Sequence, residues 1–306
     1  MSITVALVGA RGHTGAELIA LLADHPTFDL VLASSRALVG ERVADHIGGF
    51  VGDLRFCEAR PDEVASCGAD AVVLALPNDL SGPFVAALPD AVIVDLSADH
   101  RFDDRWHYGL PELTRQDAGG RKRIANPGCY ATAMQLALAP FRDVLKGTPQ
   151  CFGVSGYSGA GTTPSDKNDP EKLADNVQPY APFDHIHERE VSRHINHRVR
   201  FLPHVGAYFR GISMTVSATL SERVDANQRL DDAYANEPLV RISATPPWVS
   251  DNAGKHHASV GGVAQRENEL TIYATLDNLL KGAATQAVQN LNLAFGIREH
   301  EGIPLG

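Results

Sequence analysis

The chain opens on an apolar, β-prone run at residues 4–8, turns through Gly9-Ala10-Arg11-Gly12-His13-Thr14-Gly15, and continues at 16–22 with helical composition. Strand, glycine turn and helix are predicted in that order. A second strand is expected at 28–33, and near-continuous apolar runs at 69–77 and 91–96 read as strands covered on both faces. Such a series predicts an α/β fold with a Rossmann-type, doubly wound parallel sheet.

Beyond Cys129 the pattern changes. Residues 152–155, 200–202, 212–220 and 269–274 alternate or stand apart as longer strands, which predicts an α+β second domain with a mixed or antiparallel sheet. Residues 279–295 regain helical periodicity and are expected to pack back on the first domain. The expected division is 1–128 with 279–306 for one domain and 129–278 for the other. Residues 156–182, dense in Gly, Ser, Thr, Asp and Pro, predict a long mobile loop near a site.

At 306 residues the chain exceeds what one core usually organises, in keeping with two domains. The net charge of −10 argues against nucleic acid or an anionic membrane as partner, while leaving an anionic small molecule open. No charged-then-apolar leader opens the chain and no apolar run reaches membrane-spanning length, so a cytoplasmic protein is expected. Cys57, Cys67, Cys129 and Cys151 form no CxxC pair or zinc-like spacing, which points to a reduced compartment and to no metal site.

One thiol stands apart. In Asn126-Pro127-Gly128-Cys129-Tyr130-Ala131-Thr132-Ala133, Pro127 and Gly128 cannot easily continue a helix backwards, while the residues after Cys129 are good helix formers. Cys129 is therefore expected in a first helical turn, where unpaired N–H groups and the positive dipole end favour the nucleophilic thiolate. A small buried thiol is the alternative reading.

The glycine turn has the spacing GxxGxxG. Gly9 would make the sharp turn, Gly12 would admit a pyrophosphate and Gly15 would allow close helix packing. At the end of the second strand, Ser34-Ser35-Arg36 offers no acid to a free ribose 2′-hydroxyl but suits a 2′-phosphate, so NADP is favoured over NAD. Arg36 as a plain solvated arginine is the alternative. In Asp184-His185-Ile186-His187-Glu188-Arg189-Glu190, HxH is a weak metal pattern with no third ligand at a recognisable spacing. As an acid/base group it fits better, with Glu190 three residues on to orient His187. A solvated His-rich loop is the bland alternative.

The chain resembles the N-acetyl-γ-glutamyl-phosphate reductase family, the arginine-biosynthesis branch of the aspartate-semialdehyde dehydrogenase-like superfamily. The resemblance is carried by the 9–15 loop with residues 14–18, by 94–102, 108–113, the Cys129 octet, 155–161, 203–205 with 210–212, and 277–284. It implies a catalytic and dimerisation role for the second domain, with Cys129 as nucleophile and His185 or His187 as acid/base, assisted by Glu190. It places Gly9, Arg11, Gly12, His13, Thr14, Gly15, Ser34, Ser35, Arg36, Pro77, Ser158, Gly159 and Asn278 at the cofactor. Asn126, Ser155, Arg101, Arg210 and Lys281 are implied at the substrate, with a surface charge as the alternative for Arg210 and Lys281.

The implied reaction is NADPH-dependent reduction of an acyl phosphate through a Cys129 thioester, yielding N-acetylglutamate 5-semialdehyde and phosphate. A dimer or tetramer is also implied. Thr162-Thr163 stand where the family usually has Arg, and the chain is shorter than typical members. Aspartyl phosphate or an N-blocked aminoadipyl phosphate therefore stay open as substrates, and a non-catalytic NADP-binding sensor stays open as an alternative function.

Overall fold

The computed structural model describes residues 2–305; Met1 and Gly306, which bound the expected first domain, lie outside the described residues. The chain divides into two compact units, Met1–Pro127 with Ala283–Pro304, and Gly128–Gly282 with the last two residues. These junctions lie one residue before the first expected boundary and four after the second. The second shift has a local cause. After the last strand, Asp277 accepts the Leu279 and Leu280 N–H groups on its side chain and the Gly282 N–H on its backbone carbonyl, so the turn stays with the second unit.

The first unit carries strands β1 (Ile3–Val8), β2 (Phe28–Ser34), β3 (Phe56–Cys57), β4 (Ala71–Leu74), β5 (Val92–Asp95), β6 (His107–Tyr108) and β7 (Arg123–Ala125). They form one parallel sheet in the order β3-β2-β1-β4-β5-β7-β6, the doubly wound arrangement expected. Helices α1 (His13–Ala23), α2 (Pro61–Ser66), α3 (Gly82–Ala87) and α4 (Pro111–Thr114) connect them. β4 and β5 are buried at every position, which explains the apolar runs at 71–74 and 92–94; Asp95, closing β5, is buried with its carboxylate accepting from Ser97. Strand order reverses between β1 and β4, and the carboxyl ends of such a pair are where α/β sheets bind ligands.

The second unit begins with helix α5 (Cys129–Leu138) and contains β8 (Leu145–Gly156), α6 (Pro170–Leu173), β9 (Val177–Pro179), α7 (Ile186–His194), β10 (Arg200–Gly206), β11 (Ile212–Leu220), α8 (Ala226–Tyr234), β12 (Val240–Ser243), α9 (Val249–Asn252), β13 (Ala258–Arg266) and β14 (Glu269–Leu276). Its sheet is mixed, in the order β12-β13-β14-β11-β8-β10-β9, with β8‖β10 and β12‖β13 parallel and the other pairs antiparallel. Along β11, Ile212, Met214, Val216, Ala218 and Leu220 are buried while Ser213, Thr215, Ser217 and Thr219 face away. That alternation puts the core on the face covered by α5; opposite it β11 is polar, and Phe152, Val154, Leu202 and Tyr273 stand in register beside it on the neighbouring strands.

Two expectations need correction. Residues 156–182 are not one structureless loop: they hold a 3-10 turn, α6, and β9, which pairs with β10. Asn168 explains the order, since its amide donates to the Gly161 and Thr163 carbonyls and accepts the Ser165 N–H. Nor is 279–295 one helix. The Asp277 bonds produce a wide turn at Leu280–Ala284 before α10 (Thr285–Ala294), which packs in the first unit beside β5 and α1. Among the described residues no helix is long and apolar enough to cross a membrane.

Candidate active site

Cys129 is the first residue of α5, preceded by Gly128 in an extended conformation. Pro127 and Gly128 stop the helix from running backwards, so the N–H groups of its first turn have no carbonyl ahead of them. Those donors face the thiol end, where they favour a thiolate and suit a developing oxyanion. The thiol is partly buried, whereas Cys151 is fully buried and its pKa is pushed up by burial.

The turn before the thiol is fixed from α7. Glu190, fully buried, accepts the Gly128 N–H at 2.9 Å on Oε1. Sequence spacing alone gives Glu190 the task of orienting His187; the bond found here ties it to the nucleophile's own turn. His185 is the N-cap of α7, its Nδ1 accepting the His187 N–H at 3.1 Å. Burial, and then the nearby Lys167 charge, lowers the His185 pKa to about 4. A neutral imidazole with one nitrogen held as a cap acceptor is a poor proton shuttle at neutral pH. The His187 ring lies 5.9 Å from Tyr130, the residue next to Cys129, and 4.9 Å from His185. The pair thus separates into a structural cap and an acid/base candidate.

Around the thiol the packing is close. A Cβ built on Gly282 would stand 2.7 Å from Cys129 Cβ, so only glycine fits there. Gly153 makes room for the Tyr130 ring in the same way, and Tyr130 donates its hydroxyl to the His204 carbonyl. Burial, followed by the Cys129 charge, raises the Tyr180 pKa, which places that phenol in electrostatic reach of the sulfur. Neither Tyr180 nor Gly282 is singled out by sequence. Tyr180 lies in the expected loop, and Gly282 has the character of an ordinary small residue in a helical run.

Lys281 is fully buried and Arg210 pairs with buried Asp277, Nε to Oδ2 at 3.0 Å, so neither is the surface charge held open from sequence. Ser158, Asn278 and the Gly211 N–H form one buried chain: Asn278 donates to Ser158 Oγ at 2.9 Å and accepts from Gly211 at 2.7 Å. Ser155 donates to the Gly156 carbonyl, and Gly159 lies against its hydroxyl. These residues shape the turns that flank the strand end of β8.

In the first unit, Gly9 has φ +89° and a Cβ there would overlap the Ala75 carbonyl, so glycine is what lets the loops after β1 and β4 meet. Pro77 follows on the loop after β4. Gly15 packs on the Ala10 carbonyl, where a Cβ would come within 2.6 Å. Gly12 caps α1 and its missing Cβ would meet nothing nearer than 3.6 Å. Helix α1 has no side-chain cap and no acid in its first turn, which includes His13, Thr14 and Gly15. Ser35 Oγ is buried without a hydrogen-bond partner among the described residues. An uncapped helix start, an open glycine and an orphaned hydroxyl suit a dinucleotide. Arg11 lies on the same loop. Arg36 is 89% exposed, with its Nε 3.6 Å from Glu58. Arg101 Nε donates to the Asn126 carbonyl at 2.9 Å, while Asn126 donates to Ala283 and accepts from Asn290. Both side chains thus hold the chain just ahead of Pro127.

A doubly wound dinucleotide-type unit joined to a mixed-sheet unit with a helix-start thiol defines the semialdehyde dehydrogenase class of oxidoreductases. Residues 4–120 match the family model described as semialdehyde dehydrogenase, NAD binding domain, and 129–278 match semialdehyde dehydrogenase, dimerisation domain. The chain is 58% identical to the N-acetyl-γ-glutamyl-phosphate reductase of Stenotrophomonas maltophilia over 98% of each chain. It is 57% identical to that of Xanthomonas campestris pv. campestris over 96% of each. The chain belongs to the N-acetyl-γ-glutamyl-phosphate reductase family. The fold is shared with aspartate semialdehyde dehydrogenase II of Vibrio cholerae, TM-score 0.78 at 20% identity over 96% and 98% of the chains. Aspartate semialdehyde dehydrogenase of Candida albicans, solved with NADP, gives TM-score 0.75 at 14% identity over 96% and 98%.

Proposed function

We propose that this protein reduces N-acetyl-γ-glutamyl phosphate to N-acetylglutamate 5-semialdehyde and phosphate, using NADPH. The observation that carries the reading is the Cys129 thiol at the start of α5, its turn held by Glu190 from the helix that bears His187. The 58% identical relative named for this substrate supports the choice of acyl group over aspartyl or aminoadipyl phosphate.

Cys129 thiolate attacks the γ-carbonyl carbon, and backbone N–H groups of the first α5 turn receive the oxyanion. The C–O bond to phosphate breaks, leaving a thioester on Sγ. Bound NADPH supplies the hydride that reduces the thioester carbon. His187 gives the departing phosphate its proton; hydride addition leaves the hemithioacetal oxygen as an oxyanion, whose collapse to the aldehyde breaks the C–S bond and returns Cys129 to thiolate. Ser34, Ser35 and Arg36 would hold the NADP 2′-phosphate, a role supported by the orphaned Ser35 hydroxyl and the absence of an acid at the end of β2. The open face of the mixed sheet, where exposed Phe152 stands beside the polar positions of β11, is the surface for self-association, in keeping with the dimerisation-domain match, and four free cysteines suit the cytoplasm.

The test is phosphate-dependent reduction of NADP with N-acetylglutamate 5-semialdehyde, beside aspartate semialdehyde and the N-acetylaminoadipate analogue. The N-acetylglutamate compound should have the highest kcat/KM, and Cys129→Ser should abolish turnover. Turnover that survives Cys129→Ser would overturn the mechanism. No turnover with any of the three, together with iodoacetamide labelling of Cys129 no faster than that of Cys67, would favour a sensor.

A further inference from the structure

The segment between β8 and α7 presents one cation without an acid. Asp166 pairs with Lys172, and Asp169 caps α6 by accepting the Glu171 and Lys172 N–H groups. Lys167, between those acids, has no carboxylate within ion-pair distance among the described residues. Three arginines of this unit, by contrast, are held by acids: Arg200 sits on Glu188, Arg210 on Asp277 and Arg229 on Asp143. The backbone that carries Lys167 is held in place, because the Asn168 amide bonds the Gly161 and Thr163 carbonyls and the Ser165 N–H.

Lys167 is aimed at the thiol's surroundings. Its Nζ lies 4.5 Å from the centroid of the Tyr180 ring. Tyr180 is 5.6 Å from His185, which is 4.9 Å from His187 and 6.4 Å from Tyr130. Two rings, Tyr180 and His185, lead from the ammonium to His187 and to Tyr130, the residue next to Cys129. The ammonium's charge is felt there, as one of the causes that lower His185. A half-buried ammonium on a ring face gains from the ring's electron density and keeps donors for a second partner.

We infer that Lys167 is a substrate-binding residue that takes an anionic oxygen group of the acyl phosphate, either the phosphoryl group or the α-carboxylate, at the mouth of the Cys129 site. The inference rests on the function proposed above. An acyl phosphate brings several negative oxygens, and a lysine without an acid can meet them without first breaking an ion pair. Lys167 therefore acts in binding, with Tyr180 as the plate that positions it.

Run in the oxidative direction, the reaction takes its two anions separately, as inorganic phosphate and as N-acetylglutamate 5-semialdehyde. Lys167→Met should raise the KM of one of them at least tenfold with kcat within threefold, and Lys167→Arg should bring it back to within threefold of wild type. A raised phosphate KM assigns the phosphoryl group; a raised semialdehyde KM assigns the carboxylate. If the wild type turns over and both KM values of Lys167→Met stay within twofold, the inference is wrong and the functional reading stands. A wild type that does not turn over removes the functional reading and this inference with it.

Discussion

Glu190 reaches from α7 to accept the backbone N–H of Gly128 at 2.9 Å, tying a fully buried carboxylate to the residue that precedes the nucleophile. Removing the acceptor strands a buried donor, which costs about 1–3 kcal/mol. Glu190→Ala should therefore lower the urea midpoint and also cut kcat at least tenfold, because the Gly128–Cys129 turn loses its anchor. Glu190→Gln keeps an acceptor oxygen and should recover most of the stability. Unchanged kcat in Glu190→Ala would show that the turn holds itself.

The two histidines of the HxH pair should part company on substitution. His187→Asn should lower kcat by about 10²- to 10⁴-fold, the range for a lost general acid/base. His185→Asn keeps a capping oxygen for the His187 N–H and should lose less than tenfold. Steady-state kinetics on both variants decides the matter, and equal losses would refute the division.

His185 also sets an expected acid sensitivity. Its folded pKa of about 4 lies below the ordinary histidine value, so folding favours the neutral ring. The stabilisation is whole above about pH 6.5, the unfolded value, and is lost as pH falls towards 4. Urea unfolding at pH 7.5, 6, 5 and 4 should give a stability that declines across this window in the wild type. His185→Asn, with nothing to titrate, should decline less steeply. Parallel curves would exclude His185 as the source.

The strand pattern is legible because burial on both faces writes itself into sequence: β4 is apolar throughout, β5 is apolar up to the buried Asp95 at its end, and β11 alternates residue by residue. The helix-start thiol is legible for a different reason, since Pro127 and Gly128 act locally on the backbone. Contacts across long separations are not. Nothing near Glu190 in sequence announces Gly128, and nothing near Gly282 announces Cys129. The 156–182 segment misleads because a composition rich in Gly, Ser, Thr, Asp and Pro describes loops on average, while Asn168 here holds three neighbours in a fixed turn. Of the residues implied at the substrate, Arg101 and Asn126 bond to the chain itself and Lys281 is buried, placements that no local spacing announces.

Gly282→Ala should disable the thiol without unfolding the protein. The added methyl would sit 2.7 Å from Cys129 Cβ, a contact that forces one of the two backbones to move. Overpacking of this kind costs about 1–3 kcal/mol. Circular dichroism should remain native in shape, while iodoacetamide labelling of Cys129 changes in rate and kcat falls at least tenfold. Wild-type kinetics in this variant would mean that the wide turn at Leu280–Ala284 yields freely.

Arg36 gives the cleanest separation of binding from stability. Its ion pair with Glu58 is exposed on both sides and 3.6 Å long, the kind worth about 0–1 kcal/mol, so Arg36→Ala should leave the melting temperature nearly unchanged. A charge-assisted grip on a 2′-phosphate is worth about 1.5–3 kcal/mol, equivalent to roughly 10- to 100-fold in affinity. NADPH should therefore weaken by that factor in Arg36→Ala while NADH, which lacks the phosphate, stays within about twofold by the same argument. Ser35→Ala should weaken NADPH in the same direction by a smaller factor, since its buried hydroxyl is neutral. Titration of the variant with both cofactors reads the ratio directly, and equal loss for NADPH and NADH would remove Arg36 from the phosphate site.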